Sequence, residues 1–470
     1  MIKLSSILYR TIVAIPYFAT IALFSGCATY YQKIITFNQN FEEHKYSEAK
    51  EYLEKNTKLA NKKNTAVLYD LNLATVAHLT GDYNQSIELF NKADKYYQDY
   101  TTNWGLEAVA LLSNPNVTPY KLENFEPVMI HFYQALNYIA INEYEEALVE
   151  CRRMNEVLNA LSDNFKKLNN AKHYSQDAFG HYLMGLIYEA TGDHNNAFIA
   201  YRNAYNIYNT DYSPMYGTVA PKNLKQAIIR SAKMTGFTSE AADYEREFNM
   251  TISKPSPQDG RVVLFVLDNL APIKDQIDIT FNNVGFGNGI INFTSDYQDL
   301  HIAIPYIPTK NANGGYNDGI QNIKVVHIAI PKYNTRFPDC QKAAPYMLID
   351  KEFSPISIAE DIDQIARQSL HDRILLEVGK SILRAATKMV ANNQIAKQND
   401  VLGAIFQIGS AIAERADTRH WQSLPGRIMV VDRYLSPGTH SFEFQSCGKT
   451  SHIDVDVEAG KTSFAVMASF

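Results

Sequence analysis

Residues 74–93 read ATVAHLTGDYNQSIELFNKA, and their spacing decides how the first half of the chain folds. Ala74 and Ala77 keep one face of a first helix small, so a second helix can approach closely. Gly81 suits the left-handed cap that ends that helix. Tyr83 and Phe90 then fill the groove between the two helices, with Ser86 and Ala93 at the tight contacts. The pattern returns as Gly185, Tyr188, Gly192-Asp193-His194, Ala197, Tyr201 and Ala204. It returns again as Ala135, Tyr138, Asn142-Glu143-Tyr144, Ala147, Cys151 and Met154. Half copies flank these, with Tyr46, Ala49 and Leu53 before them and Gly236, Ala241 and Phe248 after. Turns therefore fall at His44, Gly81, Asn142, Gly192 and Gly236. Self-similarity on this scale marks stacked helix pairs, and the uneven spacing predicts long helices or intruding loops, one of them at 113–119.

Three such copies resemble the tetratricopeptide repeat (TPR), which implies a helical superhelix over residues 27–250. The chain holds 30 tyrosines, and Tyr69, Tyr83, Tyr138, Tyr144, Tyr188 and Tyr201 fall at helix-packing positions. Core packing explains them; a stacked-aromatic ligand groove is the alternative.

Residues 1–26 read as an export signal. Lys3 and Arg10 precede an uncharged run, TIVAIPYFATIALF, at 11–24. The run has the length of a signal-peptide core and is short of the roughly 20 residues of a membrane span. Leu23-Phe24-Ser25-Gly26-Cys27 resembles a bacterial lipobox, so Cys27 is the expected lipidation site, carrying palmitate-type chains. Two or more acyl chains anchor a protein stably where one does not. Ala28, rather than Asp, resembles an outer-membrane sorting signal. The expected location is the outer membrane, lipid-anchored and facing the periplasm.

A wider resemblance covers most of the chain beyond residue 27. It is carried by residues 126–138 (EPVMIHFYQALNY), 147–153 (ALVECRR), 267–272 (LDNLAP), 365–370 (IARQSL), 416–421 (ADTRHW) and 435–439 (LSPGT). These are similar to a family of bacterial TPR-containing outer-membrane lipoproteins. The resemblance implies an exported lipoprotein with no established reaction, and points towards peptidoglycan synthesis. Within these segments Glu126, Asn137, Glu150, Arg152 and Arg153 are polar among apolar helical positions, and buried polar groups need partners. They either fix helix register as a network or grip a bound peptide, with Glu126, Asn137, Arg152 and Arg153 as the candidate binding residues.

Residues 251–260 (TISKPSPQDG) read as a linker, and 261–470 as a β-rich, sandwich-like domain. Strands are expected at 261–267, 275–281, 302–306, 323–330, 427–434, 439–444, 453–457 and 463–467. A helical insertion at 357–414 interrupts them. Its first helix, 357–396, has an apolar face and a basic stripe of Arg373, Lys380, Arg384 and Lys388, read as a solvated face. The run at 401–413 (VLGAIFQIGSAIA) is too short to span a bilayer, so it packs as a second helix or touches lipid shallowly. The fold class is thus α+β.

Composition excludes several functions. A net charge of −6 leaves no chain-wide footprint for nucleic acid. Four cysteines are too scattered for a zinc ribbon, and the twelve histidines show no metal-ligand spacing. Cys340 and Cys447, exported together, are a candidate disulfide, and Cys151 a buried thiol. The glycines at 285–289 open no helix, so no nucleotide cradle is expected. No cofactor and no metal is expected. The sequence describes a non-enzymatic adaptor or scaffold that binds a protein or peptide in the envelope. Two alternatives stand beside it: a hydrolase of glycan or peptide using Asp268 and Asp417, and a ring-forming or membrane-inserting component using 401–413.

Overall fold

In the computed structural model, which describes residues 29–102, 118–166, 176–287, 290–305, 324–336, 344–396 and 415–470, the first half is built from helix pairs. After a single turn α1 (Tyr30–Lys33), α2 (Ile35–Glu42) pairs with α3 (Tyr46–Lys55). Then α4 (Ala66–Leu79) pairs with α5 (Tyr83–Thr102), and α6 (Glu126–Ala140) with α7 (Tyr144–Lys166). Next α8 (Ala178–Ala190) pairs with α9 (His194–Ile207). A π-helical turn at Tyr208–Tyr212 and the short α10 (Ser213–Tyr216) lead to a last pair, α11 (Lys222–Thr235) and α12 (Thr238–Phe248). All five expected turn residues have positive φ: His44 at 58°, Gly81 at 80°, Asn142 at 63°, Gly192 at 81° and Gly236 at 91°. Such left-handed residues end a helix while satisfying its last carbonyls. The predicted close approach is also present: a Cβ on Gly185 would stand 2.3 Å from the Tyr201 ring.

The described residues of the second half form three four-stranded sheets. A central sheet has the order β12-β1-β9-β8, from β1 (Gly260–Leu270), β8 (Ile358–Asp361), β9 (Pro425–Leu435) and β12 (Thr462–Ser469). An outer sheet has the order β11-β10-β6-β7, from β6 (Tyr346–Ile349), β7 (Glu352–Pro355), β10 (Gly438–Ser446) and β11 (Lys449–Val457). A third sheet, β4-β3-β2-β5, uses β2 (Ile273–Gly287), β3 (Ile290–Ser295), β4 (Leu300–Pro305) and β5 (Val325–Asn334). Helix α13 (Ile362–Ala396) covers that third sheet through Val378 and Ile382.

Alternation along β1 explains how the layers stack. Val262, Leu264 and Val266 point one way and pack on Phe442, Phe444 and Val455 of the outer sheet. Val263, Phe265 and Leu267 point the other way and join the helical core. The central sheet therefore lies between the outer sheet and the helices, and β1 is buried on both faces, as its near-continuous apolar sequence requires.

Several expectations need correction. Strands β3, β6, β7 and β8 were not foreseen. Residues 358–361 form a strand, so the long helix begins at Ile362 rather than 357. The basic stripe is not a purely solvated face: Arg373 forms an ion pair with Glu123, and Arg384 is buried. Burial of a long cation is tolerable only with a partner, which Glu123 supplies to Arg373. The segment 401–413 lies outside the described residues, as does the loop at 113–117.

Candidate functional site

The first helix of each major pair meets the second half of the chain: α4 through Asn72 and Thr75, α6 through Glu126 and Phe132, α8 through the Leu186 carbonyl and Glu189, and α11 through Asn223 and Arg230. In a repeat array this inner face is the usual binding surface. Here it holds the chain's own second half. Trp421 is fully buried, its ring against Phe90 and Tyr133. Its indole N–H donates to Thr75 (3.1 Å) and Ser423 (2.9 Å), and its backbone N–H donates to Glu126 Oε1 (2.8 Å). Ser423 donates to Asn72 Oδ1 (2.9 Å), and Asn223 Nδ2 donates to the Val430 carbonyl (2.7 Å).

Two buried ionic clusters lock this seam. In the first, Asp432 of β9 accepts from Arg230 Nη2 (2.5 Å) and from Arg261 Nε (2.8 Å). Glu189 pairs with both arginines as well, at 2.5 Å from Arg230 and 2.9 Å from Arg261. Burial penalises the Asp432 charge, but the two guanidinium groups outweigh it and hold its carboxyl well below the carboxylate range. In the second cluster Glu123 accepts from Lys274 (2.5 Å) and Arg373. Burial pushes the Glu123 carboxyl up, yet these two cations hold it at about 2. Among the described residues no cation pairs with Glu126 beside it. Burial first, and then the Glu123 charge, raise its carboxyl to about 7.

The candidate binding residues fall on both sides of this boundary. Asn137 is fully buried: its Oδ1 accepts from His78 Nδ1 (2.7 Å), and its Nδ2 donates to Ser86 Oγ (2.8 Å). Ser86 passes the chain on to the Ala74 carbonyl (2.9 Å), so Asn137 ties α6 to α4 and α5. Glu126 is fully buried on Trp421, Tyr120 and Glu123. The clamp expectation is corrected for these two residues, because neither faces a surface that a ligand could reach. Arg152 is exposed, and Arg153 is half-exposed with Nη1 3.1 Å from Glu150. Asp268 and Asp417, the carboxylates a hydrolase would pair, each hold their own arginine instead, Arg427 and Arg419. Cys447 takes part in a disulfide, and Cys151 is free and buried. Cys27 and Cys340 lie outside the described residues. Among the described residues no group of acidic, histidine or cysteine side chains is arranged to hold a metal ion, and no helix is long and apolar enough to cross a membrane.

A cleft stays open where the turn between α6 and α7 overhangs the edge of the central sheet. Two adjoining cavities, of about 390 and 250 Å³, share Ile139, Ala140, Phe464 and Ala465. The helical wall includes His78, Tyr83 and Tyr144, and the opposite wall is β11 from Ile453 to Asp456. Tyr144 packs on Phe464 at 6.1 Å between ring centroids. The cleft was not foreseen; the only sequence signal was the uncharged stretch TSFAVMAS at 462–469.

No family model and no curated protein matches the chain. Solved structures similar to part of it include MamA, at 18% identity over 44% of this chain and 90% of that one, with a TM-score of 0.28. TPR-like repeats of a Podosopora anserina kinesin light chain match at 14% identity over 46% of this chain and 91% of theirs, with a TM-score of 0.32. The apo form of RapI matches at 16% identity over 46% and 68%, with a TM-score of 0.34. Likeness at this level carries no functional argument. The TPR-like architecture rests on the helix pairs and their left-handed turns.

Proposed function

We propose that the protein is a non-enzymatic adaptor of the bacterial cell envelope, anchored to the outer membrane through lipid on Cys27 and facing the periplasm. It binds a protein or peptide partner, in envelope biogenesis or peptidoglycan synthesis. The observation that carries the binding site is the division of its surfaces. The inner helical face is filled by the chain's own sheet, whereas the cleft beside β12 is open and walled by both halves. The helices thus act as a frame that positions the cleft. The lipid fixes location, and the cleft supplies recognition.

Proximity crosslinking from the lipidated protein in intact envelopes tests this. A photoreactive residue at Tyr144 is expected to label one defined protein, and one at exposed Arg152, on the same helix, to label it less. Equal, diffuse labelling from both positions overturns the cleft as the interface. Retention of the chain in the membrane fraction after Cys27→Ser overturns the lipid anchor.

A further inference from the structure

Among the described residues β12 is an edge strand, bonded on one side only, parallel to β1 from Arg261↔Thr462 to Asp268↔Ser469. The Lys461 carbonyl accepts from the Arg261 N–H (2.8 Å), which fixes the phase of the ladder. In a parallel pair the residues that use both main-chain groups alternate. Residues 463, 465 and 467 are therefore engaged with β1, and Thr462, Phe464, Val466 and Ala468 direct their N–H and C=O away from it, the first three of them at the cleft. Proteins blunt exposed edges with Lys, Pro, a bulge or a short strand. β12 is eight residues long, has no charge and no proline, and its register with β1 has no break. The side chains of Phe464, Val466 and Ala468 pack towards the helices. Any strand laid beside them would have one face against the apolar helical wall. Its other face would meet β11, where the exposed Asp454 and Asp456 line the mouth of the cleft. Asp454 there pairs with His452 (3.1 Å), and Asp456 accepts from Thr439 (2.6 Å).

We infer that the cleft captures an extended segment of a partner protein as an added strand on β12. The segment is apolar at every second residue and carries Lys or Arg at positions that reach Asp454 and Asp456. The inference rests on the adaptor reading and names its binding mode. Main-chain bonds to Thr462, Phe464, Val466 and Ala468 would supply affinity, and alternate side chains would supply specificity.

The probe is a fluorescein-labelled decapeptide that alternates Val with Lys and Thr, titrated against the full chain by fluorescence anisotropy. Two further peptides carry N-methyl groups on alternate residues, one on the odd positions and one on the even. A strand has two edges, so strand addition requires one methylation phase to weaken binding at least about tenfold through several lost bonds, while the other stays within about twofold. Replacing each Lys by Glu in the peptide, or D454K with D456K in the protein, weakens binding about tenfold. V466P removes an N–H that faces the cleft and leaves the β1 ladder whole, so it abolishes binding. The methylated pair decides the matter should V466P fail to fold. Equal binding of both methylated peptides overturns the proposal. So does light scattering that shows a dimer which V466P converts to monomer, because the edge is then filled by a second copy. The two readings separate cleanly. Partner crosslinking from Tyr144 that survives V466P overturns strand addition and leaves the adaptor standing. Loss of all defined crosslinking in the wild type overturns the adaptor, whatever the peptides do.

Discussion

Replacing Asp432 by Asn tests whether the helices and the sheets are one cooperative unit. Asp432 and Glu189 balance Arg230 and Arg261 inside the seam, so the cluster is neutral and every member is buried. Asn keeps the shape but removes one charge, and it offers one acceptor oxygen where the carboxylate offered two. One guanidinium charge is then left without compensation in the interior. Breaking a buried pair in this way costs about 3–5 kcal/mol. Removing Arg230 as well, in D432N/R230M, restores neutrality through Glu189 and Arg261. It should recover about 1–2 kcal/mol of that loss, a coupling typical of residues that share partners. Urea unfolding followed by far-UV circular dichroism reports chiefly the helices, and in a W104F background, which leaves one tryptophan, fluorescence reports Trp421 at the seam. Both transitions should coincide in the wild type and move together in D432N. The reasoning is refuted if D432N loses less than about 1 kcal/mol. It is refuted equally if the fluorescence transition moves while the helical signal does not, since each half would then be stable alone.

Further outcomes follow from individual positions. Gly185→Ala places a methyl 2.3 Å from the Tyr201 ring; such overpacking costs about 1–3 kcal/mol, and an unchanged thermal midpoint would show that α8 and α9 do not need the close approach. Trp421→Ala empties a fully buried site between Phe90 and Tyr133 and should cost about 3–5 kcal/mol in chemical denaturation, with a loss confined to the β-rich half counting against a shared core. Glu126 has a folded-state carboxyl raised from 4.5 to about 7. Its stabilising contribution is complete below pH 4.5 and is lost as pH rises to about 7, because the folded state then binds the proton that the unfolded state has released. Relative to E126Q, which cannot lose that proton, the wild type should fall in stability by up to about 3 kcal/mol over this window, and a difference that does not vary with pH would contradict the buried, cation-free site.

The helix pairs were legible because their signals are local. His44, Gly81, Asn142, Gly192 and Gly236 each sit within a few residues of the helices they separate, and Gly185 faces Tyr201 of the very next helix. Strands β1, β9, β10, β11 and β12 were legible by their apolar runs or alternation. The four-residue β6, β7 and β8 were not, since so few residues show no period, and β8 merges into the apolar pattern of α13. The seam was invisible for a different reason. Asn137 and Glu126 stood out as polar residues in apolar surroundings, but nothing local says what answers them. Ser86 lies 51 residues from Asn137, and Trp421 lies 295 from Glu126. Without that information, a groove lined by Glu126 looks like a site for another molecule. The β12 edge escaped notice because an uncharged strand reads alike whether it is central or peripheral; its place in the sheet order alone makes it open.

The seam also sets a timetable for the chain as it is made. The helices through α12 are complete at Phe248, yet Arg230 meets Asp432 only 202 residues later, and Asn223 meets Val430 only 207 later. Until then the inner face, with Phe132, Leu186 and Glu189 still uncovered, offers apolar and charged surface to whatever is nearby. Contacts so distant in sequence form slowly, and surfaces left bare in the meantime invite wrong partners. Newly made chains should therefore pass through a stage in which a finished helical scaffold waits, open and adhesive, for its own second half to arrive.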